Sequence, residues 1–105
     1  MTNNIAYEEV GVADVDRDKL IDILSEELPV LRAKIGLSQE ELSDIIGVSR
    51  QTYSSIETKK RRMTWGTFLS LILFFDNNEK TSPMLQNIGA FPDSLKNLLN
   101  KSNRD

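Results

Sequence analysis

The stretch from Ser38 to Glu57 constrains the fold more than any other part of the chain, because it specifies two short helices and the corner between them. Ser38 with Glu41 three residues on is a capping box, in which each side chain satisfies a backbone N–H that the opening helix leaves without a partner. Leu42, Ile45 and Ile46 supply that helix with an apolar face. Gly47 then permits a left-handed backbone, which a residue with a side chain resists. Ser49 caps a second helix, in which Tyr53 and Ile56 point inward while Arg50, Gln51, Thr52 and Ser55 lie on other faces. The small Ser43 lets the second helix cross closely over the first. Val48, Tyr53 and Ile56 pin that second helix to a core and leave its outer face free.

The flanking sequence is helical too. Asp16 caps a helix with apolar positions Leu20, Ile21, Leu24, Leu28, Leu31 and Ile35, and Gly36 ends it. Pro29 interrupts this run, since proline has no N–H to donate and clashes one turn back. A kink is expected there, or a second helix starting near Leu28 with proline in its first turn. Thr64 opens a further helix through Phe75 that is apolar on most sides, so it belongs in the core or in a subunit contact. Ser82 and Pro83 open a helix running to Ile88, and "PDSLKNLLNK" forms a last amphipathic one burying Leu95, Leu98 and Leu99. Residues 1–15 carry weak patterning and read as an N-terminal arm, with a short strand around Ile5 to Val12. Residues 16–105 read as one helical domain, its two-helix unit at 38–57.

Charge is spread unevenly. Residues 1–31 hold eight acids and two bases, residues 32–62 seven bases and four acids, and the remainder four of each. A cationic middle in a chain of net charge −3 points to one surface that meets a polyanion, with the rest keeping the protein in solution. Enzyme chemistry finds little to work with. The chain has no histidine and no cysteine, hence neither the usual general base nor a thiolate nucleophile or metal ligand. It has no phosphate-cradling glycine loop either. The adjacent acids Glu8–Glu9, Glu26–Glu27 and Glu40–Glu41 read as solvated positions rather than a converging pair. Neither metal nor cofactor is expected. The longest apolar run, "FLSLILFF", falls short of the ~18 residues a membrane span needs. The N-terminal residues lack the basic-then-apolar order of a leader, and absence of cysteine suits a reducing cytoplasm.

Two helices around a tight glycine turn are the local form of a helix-turn-helix, and here the text "LRAKIGLSQEELSDIIGVSRQTYSSIETKKR" resembles the Xre family of bacterial regulators and the related phage repressors. A weaker resemblance extends over Leu28 to Ile88. It implies an all-α, lambda-repressor-like five-helix DNA-binding domain, here with an N-terminal arm and an extra C-terminal helix. It places Arg50, Gln51, Thr52 and Ser55 at positions that face bases. Contacts to the DNA backbone fall to Gln39, Ser49, the hydroxyl of Tyr53, Lys60, Arg61 and Arg62. Arg32 and Glu57 match a pair that forms a structural salt bridge in the family. Two positions depart from the pattern: Tyr53 stands where an aliphatic residue is usual, and Lys59 where relatives often carry glycine. Side-chain chemistry points the same way, since arginine can donate twice to guanine O6 and N7, and glutamine can pair adenine N6 and N7.

The resulting expectation is a sequence-specific transcriptional regulator, a repressor, that binds double-stranded DNA in the cytoplasm as a homodimer on a near-palindromic operator. The last two helices, with Leu95, Leu98 and Leu99, are the candidate dimer surface. The alternative is an antitoxin or protein-interaction module on the same fold, its acidic residues 1–31 holding a toxin.

Overall fold

In the computed structural model, residues 15–101 are described, and each helix among them begins where local chemistry supplies a partner for its first N–H groups. The first helix, α1 (Arg17–Lys34), opens on Asp16, whose carboxylate accepts from the Lys19 N–H at 3.1 Å. It buries Leu20, Ile21, Leu24, Leu28 and Leu31 along one stripe. Of the two outcomes expected at Pro29, the break into two helices does not occur: α1 runs through it as one helix. The proline ring faces solvent, while Leu28 and Leu31 on either side of it are fully buried. Interior proline costs about 3 kcal/mol, and burying a leucine contributes about 1.5–3 kcal/mol, so the packing of that stripe outweighs the local preference.

Gly36 (φ +66) turns the chain, and the Leu37 N–H returns to the Arg32 carbonyl at 3.2 Å. Next, α2 (Gln39–Ile46) opens on the complete capping box: the Glu41 N–H donates to Ser38 Oγ at 3.0 Å, and the Ser38 N–H to Glu41 Oε1 at 2.8 Å. Leu42 and Ser43 are buried, the serine hydroxyl satisfied by the Glu40 carbonyl at 2.8 Å. Ile45, expected on the buried face, is 52% exposed instead. Gly47 (φ +82) makes the corner, and α3 (Arg50–Glu57) follows with Ser49 accepting from the Thr52 N–H at 3.0 Å.

Thr64 caps α4 (Trp65–Asp76), which buries Phe68, Leu71, Ile72 and Phe75. Trp65 stacks on Phe68 with ring centroids 4.7 Å apart and lies under the Arg17 guanidinium, as core aromatics rather than a base-stacking platform. The apolar character of α4 exceeds what the fold covers. Leu73 is 73% exposed and, with Ile45, Ile46 and Phe74, lines a shallow groove of about 560 Å³. Then α5 (Ser82–Ile88) starts one residue earlier than expected, with Thr81 at its cap position. The buried Thr81 hydroxyl donates to the Phe75 carbonyl at 2.6 Å, which ties α5 to the end of α4. In α6 (Asp93–Leu99), Leu95 is fully buried while Leu99 is 46% exposed. Leu95 therefore belongs to the core of the single chain and is not available to the dimer contact expected of it.

The six helices, with no strand among the described residues, form an all-α fold of the lambda-repressor-like kind. One core joins them: α1 packs on α3 and α4, α2 on α3 and α4, and α4 on α5. The expected arm and its strand near Ile5 to Val12 lie outside the described residues. Val15, the one arm residue described, packs half-buried against the core.

Candidate nucleic-acid interface

The orientation of α3 is set from behind by Tyr53 and Ile56, which are 0% and 2% exposed. At its C-terminal end sits the most densely bonded polar group described, the Glu57 carboxylate, its side chain 6% exposed. It accepts from Arg32 Nε at 2.8 Å and Nη2 at 3.1 Å, from the Tyr53 hydroxyl at 2.6 Å and from Gln39 Nε2 at 2.9 Å. Arg32 Nη1 also donates to the Leu37 carbonyl at 2.8 Å. Side chains of α1, α2 and α3 thus meet on one anion.

Titration behaviour follows from this geometry. Burial pushes the Glu57 carboxyl up, but hydrogen bonds from Arg32, Tyr53 and Gln39 outweigh it and hold the group below the usual carboxylate value. Hydrogen bonding to Glu57 raises Arg32, and burial together with Glu57 raises the Tyr53 phenol. At neutral pH the carboxylate is charged, the guanidinium is charged and the phenol keeps its proton.

These contacts bear on three residues expected at the DNA backbone. The Tyr53 hydroxyl, fully buried and turned to Glu57, cannot reach a phosphate; the aromatic ring fills the core and its hydroxyl braces the helix. Gln39 commits one amide proton to Glu57 and keeps the other. Ser49 Oγ caps α3 and directs its own proton to Thr52 Oγ1 at 3.0 Å. A phosphate offers only acceptors, so Ser49 has its backbone N–H to give, not its hydroxyl.

The outward face of α3 is polar throughout. Arg50 and Gln51 are exposed, and Thr52, Ser54 and Ser55 half-buried. Together with Arg61 they line a recess of about 490 Å³. Past α3 the chain turns through Lys59 in left-handed conformation (φ +66), and the Lys60 N–H bonds the Ser55 carbonyl at 2.9 Å. This is the glycine-type helix end built with a lysine.

Beyond the turn the cations diverge. Lys59 pairs with Glu26. Arg62 donates to Asp22 Oδ1 at 2.8 Å and to the Asp18 carbonyl and carboxylate at 2.9 and 3.3 Å. Arg61 turns the other way, to Thr52 Oγ1 at 3.3 Å, and Lys60 is exposed. Sequence reasoning did not single out the partners on α1. Asp18, Asp22 and Glu26 recur every fourth residue, a spacing that puts them on one helix face, and that spacing was the available signal.

Among the described residues no group of acidic side chains is arranged to hold a metal ion, and no helix is long and apolar enough to cross a membrane. Residues 31–70 match the protein family described as Helix-turn-helix, a segment running from the last turn of α1 to the middle of α4. No curated protein and no solved structure matches the chain.

Proposed function

From the match of residues 31–70 to the helix-turn-helix family of Xre/Cro-like regulators, we propose that this chain is a sequence-specific DNA-binding repressor whose α3 lies in the major groove. The observation that carries the reading is the division of labour within α3. Its inner residues are fully engaged with the core and Glu57, and its outer residues Arg50, Gln51, Thr52 and Ser55 do no packing work that would explain them. Arg50 and Gln51 suit guanine and adenine edges respectively. Thr52 Oγ1 already accepts from Ser49 and Arg61, so a base or phosphate acceptor would receive its one proton. Lys60, the free amide proton of Gln39 and the Ser49 N–H are the donors for phosphates, which position the protein without reading sequence, while Arg62 is engaged by Asp18 and Asp22.

The protein acts in the cytoplasm as a homodimer, each protomer taking one half-site, the two about one helical turn (~34 Å) apart. Occupying a promoter in this way blocks it. The antitoxin reading ranks second: the carboxylates Asp18, Asp22 and Glu26, part of the acidic stretch that motivates it, already answer this chain's own Lys59 and Arg62. Selection of bound sites from a random duplex library, followed by fluorescence anisotropy in a salt series, tests the proposal. The expected outcome is an enriched near-palindrome bound at least about 10³-fold more tightly than random duplex. An unenriched library, or affinity indifferent to salt, overturns it.

A further inference from the structure

Arg61 and Arg62 are neighbours in a basic run and both border a recess beside α1, yet their side chains take different partners. Arg62 is drawn back to α1 by Asp18 and Asp22. The Arg61 N–H closes on the Ser55 carbonyl at 3.2 Å, which sets its backbone against α3. From there its side chain reaches along the helix to the Thr52 hydroxyl at 3.3 Å. The guanidinium consequently shares one polar recess with Arg50, Gln51, Thr52 and Ser55. Among the described residues no carboxylate pairs with it, and the single long bond to Thr52 leaves most of its five N–H donors unspent.

Building on the DNA-binding reading above, we propose that Arg61 is a specificity-determining residue that reads a guanine from the loop, extending the base-reading surface beyond α3. If the outer face of α3 enters the major groove, the recess it shares with Arg61 is filled by base edges, whereas phosphates line the groove's rim. A planar fork of donors matches guanine O6 and N7 there, and the Thr52 hydroxyl draws that fork toward the outer face of α3. A lysine would keep the charge and lose the fork.

The test compares wild type, R61K and R61A against the selected site and every single-base variant of it, by anisotropy at several salt concentrations. Arg61 is exposed, so both variants fold. The expected result is that R61K and R61A each lose preference for one guanine per half-site, roughly 5- to 150-fold, while R61K keeps the wild-type salt slope. A phosphate grip predicts the opposite: R61K indistinguishable from wild type, and R61A weaker on all sequences alike with a slope lower by about one per protomer. That result, or unchanged preference in both variants, overturns the inference and leaves the DNA-binding reading standing. A wild-type protein that selects no site removes both.

Discussion

Replacing Glu57 by glutamine preserves the shape of the side chain at the junction of α1, α2 and α3 and removes its charge. Four hydrogen bonds converge on the carboxylate, two on each oxygen. Glutamine substitutes an N–H₂ donor for one oxygen, so two of the four donors lose their acceptor, one of them belonging to Arg32. Breaking a buried ion pair by removing one partner costs about 3–5 kcal/mol. Arg32 is 21% exposed, so water recovers part of that, and the estimate falls at about 3 kcal/mol. For a fold of this size, that lowers the melting temperature by about 12–24 °C. Urea and thermal unfolding followed by circular dichroism, run on both proteins between pH 3 and 7, measure it. The pH dependence is the sharper part. A carboxyl held below its ordinary value in the folded state contributes stability that is fully present above the unfolded pKa of ~4.3 and is lost as pH falls through the folded pKa. Glutamine does not titrate. The difference between wild type and E57Q should therefore be full at pH 7 and shrink as pH drops below about 4, with other acids cancelling in the comparison. A difference under about 1 kcal/mol at pH 7, or one that stays constant across the range, refutes the reasoning.

Arg50→Ala and Gln51→Ala should each cost about 1–3 kcal/mol of discrimination against the wrong base, with melting changed by less than about 0.5 kcal/mol because both residues are exposed; loss of folding would show instead that they support the core. The two left-handed turns flanking α3 predict opposite signs. Gly47→Ala should destabilise by about 1 kcal/mol through backbone strain alone, since nothing lies within 4 Å of the added carbon. Lys59→Gly should stabilise by about 1 kcal/mol, because the Glu26 contact it gives up is solvent-exposed; a less stable K59G would mean that contact outweighs the backbone. The double variant D18N/D22N removes both ion pairs of Arg62 and two negative charges, though not its bond to the residue-18 carbonyl, and should tighten DNA binding several-fold at low salt, an advantage that disappears at high salt; unchanged affinity at low salt refutes it.

What could be read along the chain was largely what neighbours in sequence decide. Asp16, Ser38, Ser49 and Thr64 cap helices through bonds to residues three positions away, so the helix starts were legible, and with them the all-α fold. The break offered at Pro29 did not occur because a local rule was set against leucines packed by distant helices. Periodicity put Ile45 on an apolar face but could not say whether another helix covers it. Arg32 and Glu57 were paired by resemblance. That Tyr53 and Gln39 turn to the same carboxylate depends on how three helices meet, which no spacing encodes. Three consecutive bases, Lys60 to Arg62, carried one expectation, contact with the DNA backbone. Only the left-handed turn at Lys59 and the acids on α1 give them separate directions.

The proline within α1 has a consequence for how the molecule breathes. It removes one rung of the backbone ladder, the one that would meet the Ser25 carbonyl, so the helix carries a single gap in its bonding there. Beyond that gap the last turn, Val30 to Lys34, is anchored to the core by the Leu31 side chain and to Glu57 by Arg32. Amide protons in this turn should therefore exchange with solvent through an opening smaller than global unfolding. Each such event would momentarily loosen the Arg32–Glu57 tether at the far end of α3, giving the orientation of that helix a measurable timescale.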